Sequence, residues 1–162
     1  MHPIALIAPQ IRSAHNVGSF FRIADSAGLA HVHLCGWTAQ PGHKGIAKTA
    51  LGAEATVPWS HTESVQELIP ELQSQGWTVA ALERTPAARP VATVDAAAFP
   101  LALVLGHEVD GVAPEVLAAA DLHLALPQYG QKASLNVSVA CGVAAYGLVA
   151  RYRELQGLAT GV

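Results

Sequence analysis

Three short stretches of this 162-residue chain hold residue types able to bind or react. The first is Asn16-x-Gly18-x-x-x-Arg22. Asn16 and Gly18 open a helix, and Arg22 falls between Phe21 and Ile23 on an otherwise apolar surface. If its head merely snorkels to water, no chemistry follows. The second is Leu105-Gly106-His107-Glu108-Val109-Asp110-Gly111, two glycines and two acids directly after an apolar strand. Such a loop suits backbone that closely approaches a ligand, and a plain strand-to-helix turn fits it equally well. The third runs from Leu126 to Tyr146, LPQYGQKASLNVSVACGVAAY. Gly130, Ser134 and Asn136 put polar groups and free backbone N–H groups at the mouth of a helix, which serves as a site or as a good cap.

Other chemistries fail on spacing. No G-x-G-x-x-G follows a strand, and GIAKT lacks the G-x-x-x-x-G-K-[ST] frame of a phosphate loop. The G-x-S-x-G elbow of many Ser-His-Asp hydrolases is absent. His31, His33 and Cys35 share one face of a strand, an arrangement metals use, but no second ligand cluster supports them, and no metal is expected.

These stretches need elements to position them. Ile4 to Ala8, His31 to Leu34, Thr78 to Leu82, Leu101 to Leu105 and Leu122 to Leu126 are continuously apolar strands of the kind covered on both faces. Helices are expected from Asn16 to Gly28, from Glu63 to Gln75, from Ala113 to Ala120 and from Leu135 to Leu155. Residues 36–54 read as the longest irregular stretch, Thr56 to Pro58 as a short strand, and Thr85 to Pro100 as a surface connection. The alternation predicts one α/β domain with a mostly parallel sheet flanked by helices. In such sheets ligands sit beyond the carboxyl ends of strands. The last helix is β-branched at Val137, Val139 and Val143 and nearly bare between them, which predicts deep packing.

Composition narrows the class further. With 51% hydrophobic and 13% charged residues the chain is neither disordered nor strongly nucleic-acid-like, and some apolar excess suits a subunit interface. The formal net charge of −3 argues against a strong sequence-independent grip on nucleic acid. No apolar run reaches a membrane span, and no signal peptide is expected. Cys35 and Cys141, far apart, read as reduced thiols of a cytoplasmic protein.

Taken together, NVGSFFR, LGHEVDG and LPQYGQKASLNVSVA, in that order and at these spacings, resemble the SpoU/TrmH family of SPOUT methyltransferases. KTALGAE and ALERTP between them resemble the family too. The likeness runs from about Ile4 to Tyr152, and S-L-N-V-S is its most specific part.

The resemblance implies an enzyme that transfers a methyl group from S-adenosylmethionine to a ribose 2′-hydroxyl of RNA. It implies a C-terminal trefoil knot made from about residue 101 to residue 155, and a homodimer. Cofactor contacts would come from Leu82, Glu83 and Arg84, from Leu105, Gly106, His107 and Glu108, and from Leu126, Gln128 and Gly130, with Ser134, Leu135 and Asn136. Arg22 matches the family's catalytic arginine, with Asn16 and Glu108 orienting it and Ser134 and Asn136 completing the pocket. No separate RNA-binding extension is recognised, so Arg12, Arg22, Lys44, Lys48 and Lys132 are the expected RNA contacts, alone or with a partner protein. The LERT segment and short core lean toward tRNA over rRNA. The competing expectation is a non-catalytic SPOUT-fold module that holds cofactor or RNA.

Overall fold

The computed structural model describes residues 1–159. In chain order the elements are β1 (His2–Pro9), α1 (Ala14–Ala27), β2 (Leu29–Cys35), α2 (Lys44–Ala50), β3 (Trp59–Thr62), α3 (Val65–Ser74), β4 (Thr78–Leu82), β5 (Arg89–Pro90), β6 (Leu101–Val104), α4 (Pro114–Ala119), β7 (Leu122–Ala125) and α5 (Val137–Leu155). The strands form one sheet in the order β3-β2-β1-β6-β4-β7-β5. Each neighbouring pair runs parallel. This is the α/β architecture expected, with helices on both faces.

Alternation along the strands divides the core between those faces. In β6, Leu101 and Leu103 join the cluster under α1, α2 and α5, while Ala102 and Val104 join the one under α3 and α4. All four are fully buried, which is why the strand reads as an unbroken apolar run. Truncating a leucine so enclosed typically costs about 2–5 kcal/mol.

Several boundaries differ from expectation, each for a local reason. Ser13, rather than Asn16, caps α1 and accepts from the Asn16 N–H at 3.3 Å. The Asn16 side chain in the first turn instead donates to Glu108, at 3.1 Å. Residues 36–54 are not irregular: α2 lies there, with Ile46 and Ala50 buried against α1. Its seven residues show no apolar period and include Gly45 and Thr49, so packing rather than propensity makes it helical. Gly18 permits that packing, since a Cβ there would collide with the Thr49 hydroxyl and the Ile46 carbonyl. The edge strand β3 begins at Trp59, after the segment expected to form it. Residues 85–100 contain β5 and two single 3₁₀ turns, and bury Val91, Val94 and Ala98.

The last helix begins at Val137, one residue after its N-cap Asn136, whose Oδ1 accepts from Ser138 N at 2.9 Å and Ser138 Oγ at 2.7 Å. Its packing is one-sided. Cys141, Ala144, Ala145, Leu148 and Val149 are buried, whereas Val139, Val143 and Tyr146 are half-exposed. Both cysteines are free and buried. No described helix is long and apolar enough to cross a membrane.

Candidate active site

The sheet order changes direction around β1 and β6, the kind of position where parallel α/β sheets leave a crevice beyond their carboxyl ends. A cavity of about 370 Å³ occupies that end of β4, β6 and β7. Leu82, Glu83 and Arg84 enter it from β4, Gly106, His107 and Glu108 from β6, and Leu126 and Gln128 from β7. Ser134, Leu135 and Asn136 close it at the start of α5. Two expected residues lie off the wall: Leu105 is buried in the core beneath, and Gly130 sits on the exposed outer loop. The sequence reading missed Val109, Asp110, Gly111, Ala125, Ala133, Val137 and Ala140, which also line the cavity. Asp110 and Gly111 were visible in the LGHEVDG stretch. Val137 and Ala140 follow from the helical i, i+3 step once the start of α5 is known.

Most of the charged groups at this cavity are committed to holding loops together. Glu83 accepts from Arg84 N at 2.9 Å and from Val112 N at 3.0 Å, tying the loop after β4 to the loop after β6. Gly111, with φ of 70°, has no room for a Cβ against that carboxylate. Arg84 donates to the Ala133 carbonyl at 3.0 Å, fastening the segment before α5. Glu108 accepts from Arg12 N at 3.0 Å, Ser13 N at 2.9 Å and Asn16 Nδ2 at 3.1 Å, joining the β6 loop to the entry of α1. Burial alone would push the Glu108 carboxyl up, but these three bonds and one from its own N–H outweigh it and hold the group below its ordinary value.

His107 braces its own loop: its Nδ1 accepts from both Val109 N and Asp110 N at 3.2 Å. Asp110 Oδ2 lies 3.5 Å from that same Nδ1.

Arg22 is elsewhere. It is exposed on α1, in an open groove with Ser19, Ile23, Ser26, Ser138, Val139 and Tyr146, none of which lines the cavity. Among the described residues it makes no hydrogen bond or ion pair. The expected orientation of Arg22 by Asn16 and Glu108 is therefore not present within one chain, and those two residues bond each other. Arg12, Lys44, Lys48 and Lys132 are all exposed.

The histidine cluster on β2 is occupied by hydrogen bonding. His31 Nε2 and His33 Nδ1 both reach Ser60 Oγ, at 2.9 and 3.1 Å, and the ring centroids are 4.3 Å apart with the planes tilted by 36°. Burial pushes the neighbouring Cys35 thiol up to about 12. Among the described residues no group of three or more His, Cys, Asp or Glu is placed to hold a metal ion.

The fold and this cavity define a parallel α/β protein with a crevice formed by the loops after β4, β6 and β7 and the start of α5. The sequence profile of the SpoU rRNA Methylase family matches residues 3–146, and the chain belongs to that family. It is 32% identical over 149 residues to a 23S rRNA (guanosine-2′-O-)-methyltransferase, RlmB, of Ralstonia nicotianae, covering 91% of this chain and 58% of that protein. The chain thus spans little more than half the length of that curated relative. The crystal structure of the Aquifex aeolicus TrmH/SpoU tRNA modifying enzyme superposes with a TM-score of 0.84 at 26% identity, over 97% of this chain and 78% of that one. An AdoMet-bound rRNA methyltransferase from Sinorhizobium meliloti shares the fold, with a TM-score of 0.83 at 24% identity, over 91% of this chain and 57% of that one.

Proposed function

We propose that this protein transfers a methyl group from S-adenosylmethionine to a ribose 2′-hydroxyl of RNA, acting as a homodimer. The observation that carries the reading is the cavity at the ends of β4, β6 and β7, with Gly106, Ser134 and Asn136 in its wall, in a chain of the SpoU rRNA Methylase family. Its volume of about 370 Å³ and its apolar Leu82, Leu126 and Leu135 suit a nucleoside-sized ligand held mainly by backbone. Bound there, the cofactor would supply an already activated methyl group.

The protein's own task is then placement and charge. The cross-ties through Glu83, Arg84 and Glu108 keep three loops in fixed register, which preserves an attack geometry. Arg22, permanently charged, binds an RNA phosphate and stabilises the oxyanion that develops as the 2′-hydroxyl loses its proton. That proton leaves to solvent or to a neighbouring phosphate. Arg22 lies outside its own chain's cavity, beside the half-exposed Val139 and Tyr146 of α5, so a partner pairing through this face would receive it. The threading of the chain from about residue 101 as a trefoil knot belongs to the same proposal. Relatives divide between rRNA and tRNA; the tRNA preference drawn from the LERT segment is the finer proposal.

Thermal unfolding tests the cofactor. S-adenosylmethionine or S-adenosylhomocysteine at millimolar concentration should raise the melting temperature by binding the native state. A shift with NAD and none with either of these would overturn the reading.

A further inference from the structure

A second cavity, of about 330 Å³, opens beyond the carboxyl ends of β1 and β2. His107, Asp110 and Gly111 stand in its wall as well as in the first, so this short loop partitions the two. Gln10, Trp37 and Glu63, also in its wall, have no part in the mechanism above.

Trp37 is 59% exposed, and its ring meets the His107 ring edge-on, at 6.2 Å and 82°. Its backbone is deliberately held. Gln10 adopts a φ of 53°, a left-handed conformation that non-glycine residues rarely take, and its Oε1 accepts from Trp37 N at 3.0 Å. The Gln10 amide lies over Gly36, where any Cβ would collide with it. Gln10 N also donates to the Cys35 carbonyl at 3.2 Å, and the left-handed turn as a whole sets the indole at the cavity mouth, the kind of strain that collects at ligand sites. Among the described residues neither Gln10 Nε2 nor the exposed Glu63 carboxylate makes a hydrogen bond, so donors and acceptors stand ready at one mouth.

We infer that this second cavity receives an unstacked guanine of the RNA substrate, its face against Trp37, its N1–H and N2–H edge to Glu63 and its O6 to Gln10 Nε2. A π-face is what an exposed indole captures in single-stranded RNA. A carboxylate beside an amide donor matches the donor-donor-acceptor edge of guanine; adenine lacks that pattern. The inference rests on the RNA-methylating reading, and the shared loop at His107 places the base next to the cofactor cavity.

The test reads Trp37 fluorescence in a Trp59→Phe/Trp77→Phe background, with S-adenosylhomocysteine saturating the first cavity. Guanosine 5′-monophosphate should give a saturable change, and adenosine and uridine monophosphates one on the order of tenfold weaker. Glu63→Gln should weaken the guanosine response by a similar factor. In RNA methylation, Trp37→Ala should raise KM on the order of tenfold, Trp37→Phe should restore most of it, and the cofactor-induced melting shift should stay as in the parent. An equal response to all three nucleotides, or an unchanged KM in Trp37→Ala, overturns the guanine site. A melting shift with S-adenosylhomocysteine alongside those results would leave the methyltransfer reading standing. Loss of the melting shift in the parent protein would strike that reading instead.

Discussion

At the scale of single residues, Arg22 and Glu108 are opposites: one stands exposed without a polar partner among the described residues, and the other is tied to three donors at the entry of α1. Arg22 has no polar partner among the described residues and stands exposed, so its removal disturbs little of the fold. Arg22→Ala should leave cofactor affinity nearly unchanged while single-turnover methyl transfer falls on the order of 10²-fold. Arg22→Lys should recover little, because one ammonium cannot reproduce the planar fork. A wild-type rate in Arg22→Ala would remove it from the mechanism. Glu108, by contrast, binds two backbone amides and Asn16, and these bonds favour its ionised form. The native state therefore keeps the charge to lower pH than the unfolded chain. Its stabilisation is complete above the ordinary carboxylate range and is lost as pH falls through the lowered value. Glu108→Gln should cost on the order of 1 kcal/mol at neutral pH, and denaturant titrations across acid pH should show a shallower loss than in the parent. These roles were only half legible in the sequence. LGHEVDG marked the loop, but nothing in a linear spacing says that its glutamate reaches back more than ninety residues to Arg12 and Ser13.

Among the elements, legibility followed local signal. β1, β4 and β6 announced themselves as apolar runs, because both faces of each are covered. The helix α2 did not, because its stability comes from contact with Gly18 on α1 and not from its own composition. The edge pair β2–β3 gives a prediction at this scale. His33 is pushed down to about 4 from 6.5, by burial first and then by the charge of His31, which burial lowers as well. Between those two values the unfolded chain takes up a proton that native His33 refuses, so stability falls as pH falls through the window. Both rings reach Ser60 Oγ of β3, and protonating both would set two like charges on rings whose centroids are 4.3 Å apart. His33→Asn, which keeps an acceptor without the titration, should flatten the dependence of the denaturation midpoint on pH from about 6.5 to about 4. An unaltered slope would assign the effect to another group.

For the whole molecule, the separation of Arg22 from the cavity makes the proposed mechanism depend on a second chain. The net charge of −3 gives the chain no general hold on RNA, and under the proposed mechanism Arg22 must reach a cavity that its own chain does not bring it to. Arg22 shares its groove with Ser138, Val139 and Tyr146 on the outward face of α5, where Val143 is also half-exposed. A twofold axis through that face would bury the apolar side chains and carry each Arg22 to the other chain. Sedimentation at micromolar concentration should then show a dimer and not a 16.8 kDa species, and Val143→Asp should shift it to monomer with loss of transfer. Mixing gives the sharper outcome. Arg22→Ala chains are combined with chains carrying Gly106→Val, where the new side chain presses on the Gly111 backbone and narrows the cavity. Each variant alone should retain on the order of 1% of parent activity or less. If the arginine acts across the interface, random re-pairing leaves one complete site in each mixed dimer, and activity returns to about a quarter of the parent. If it acts within its own chain, no mixed dimer holds a complete site and the mixture stays silent.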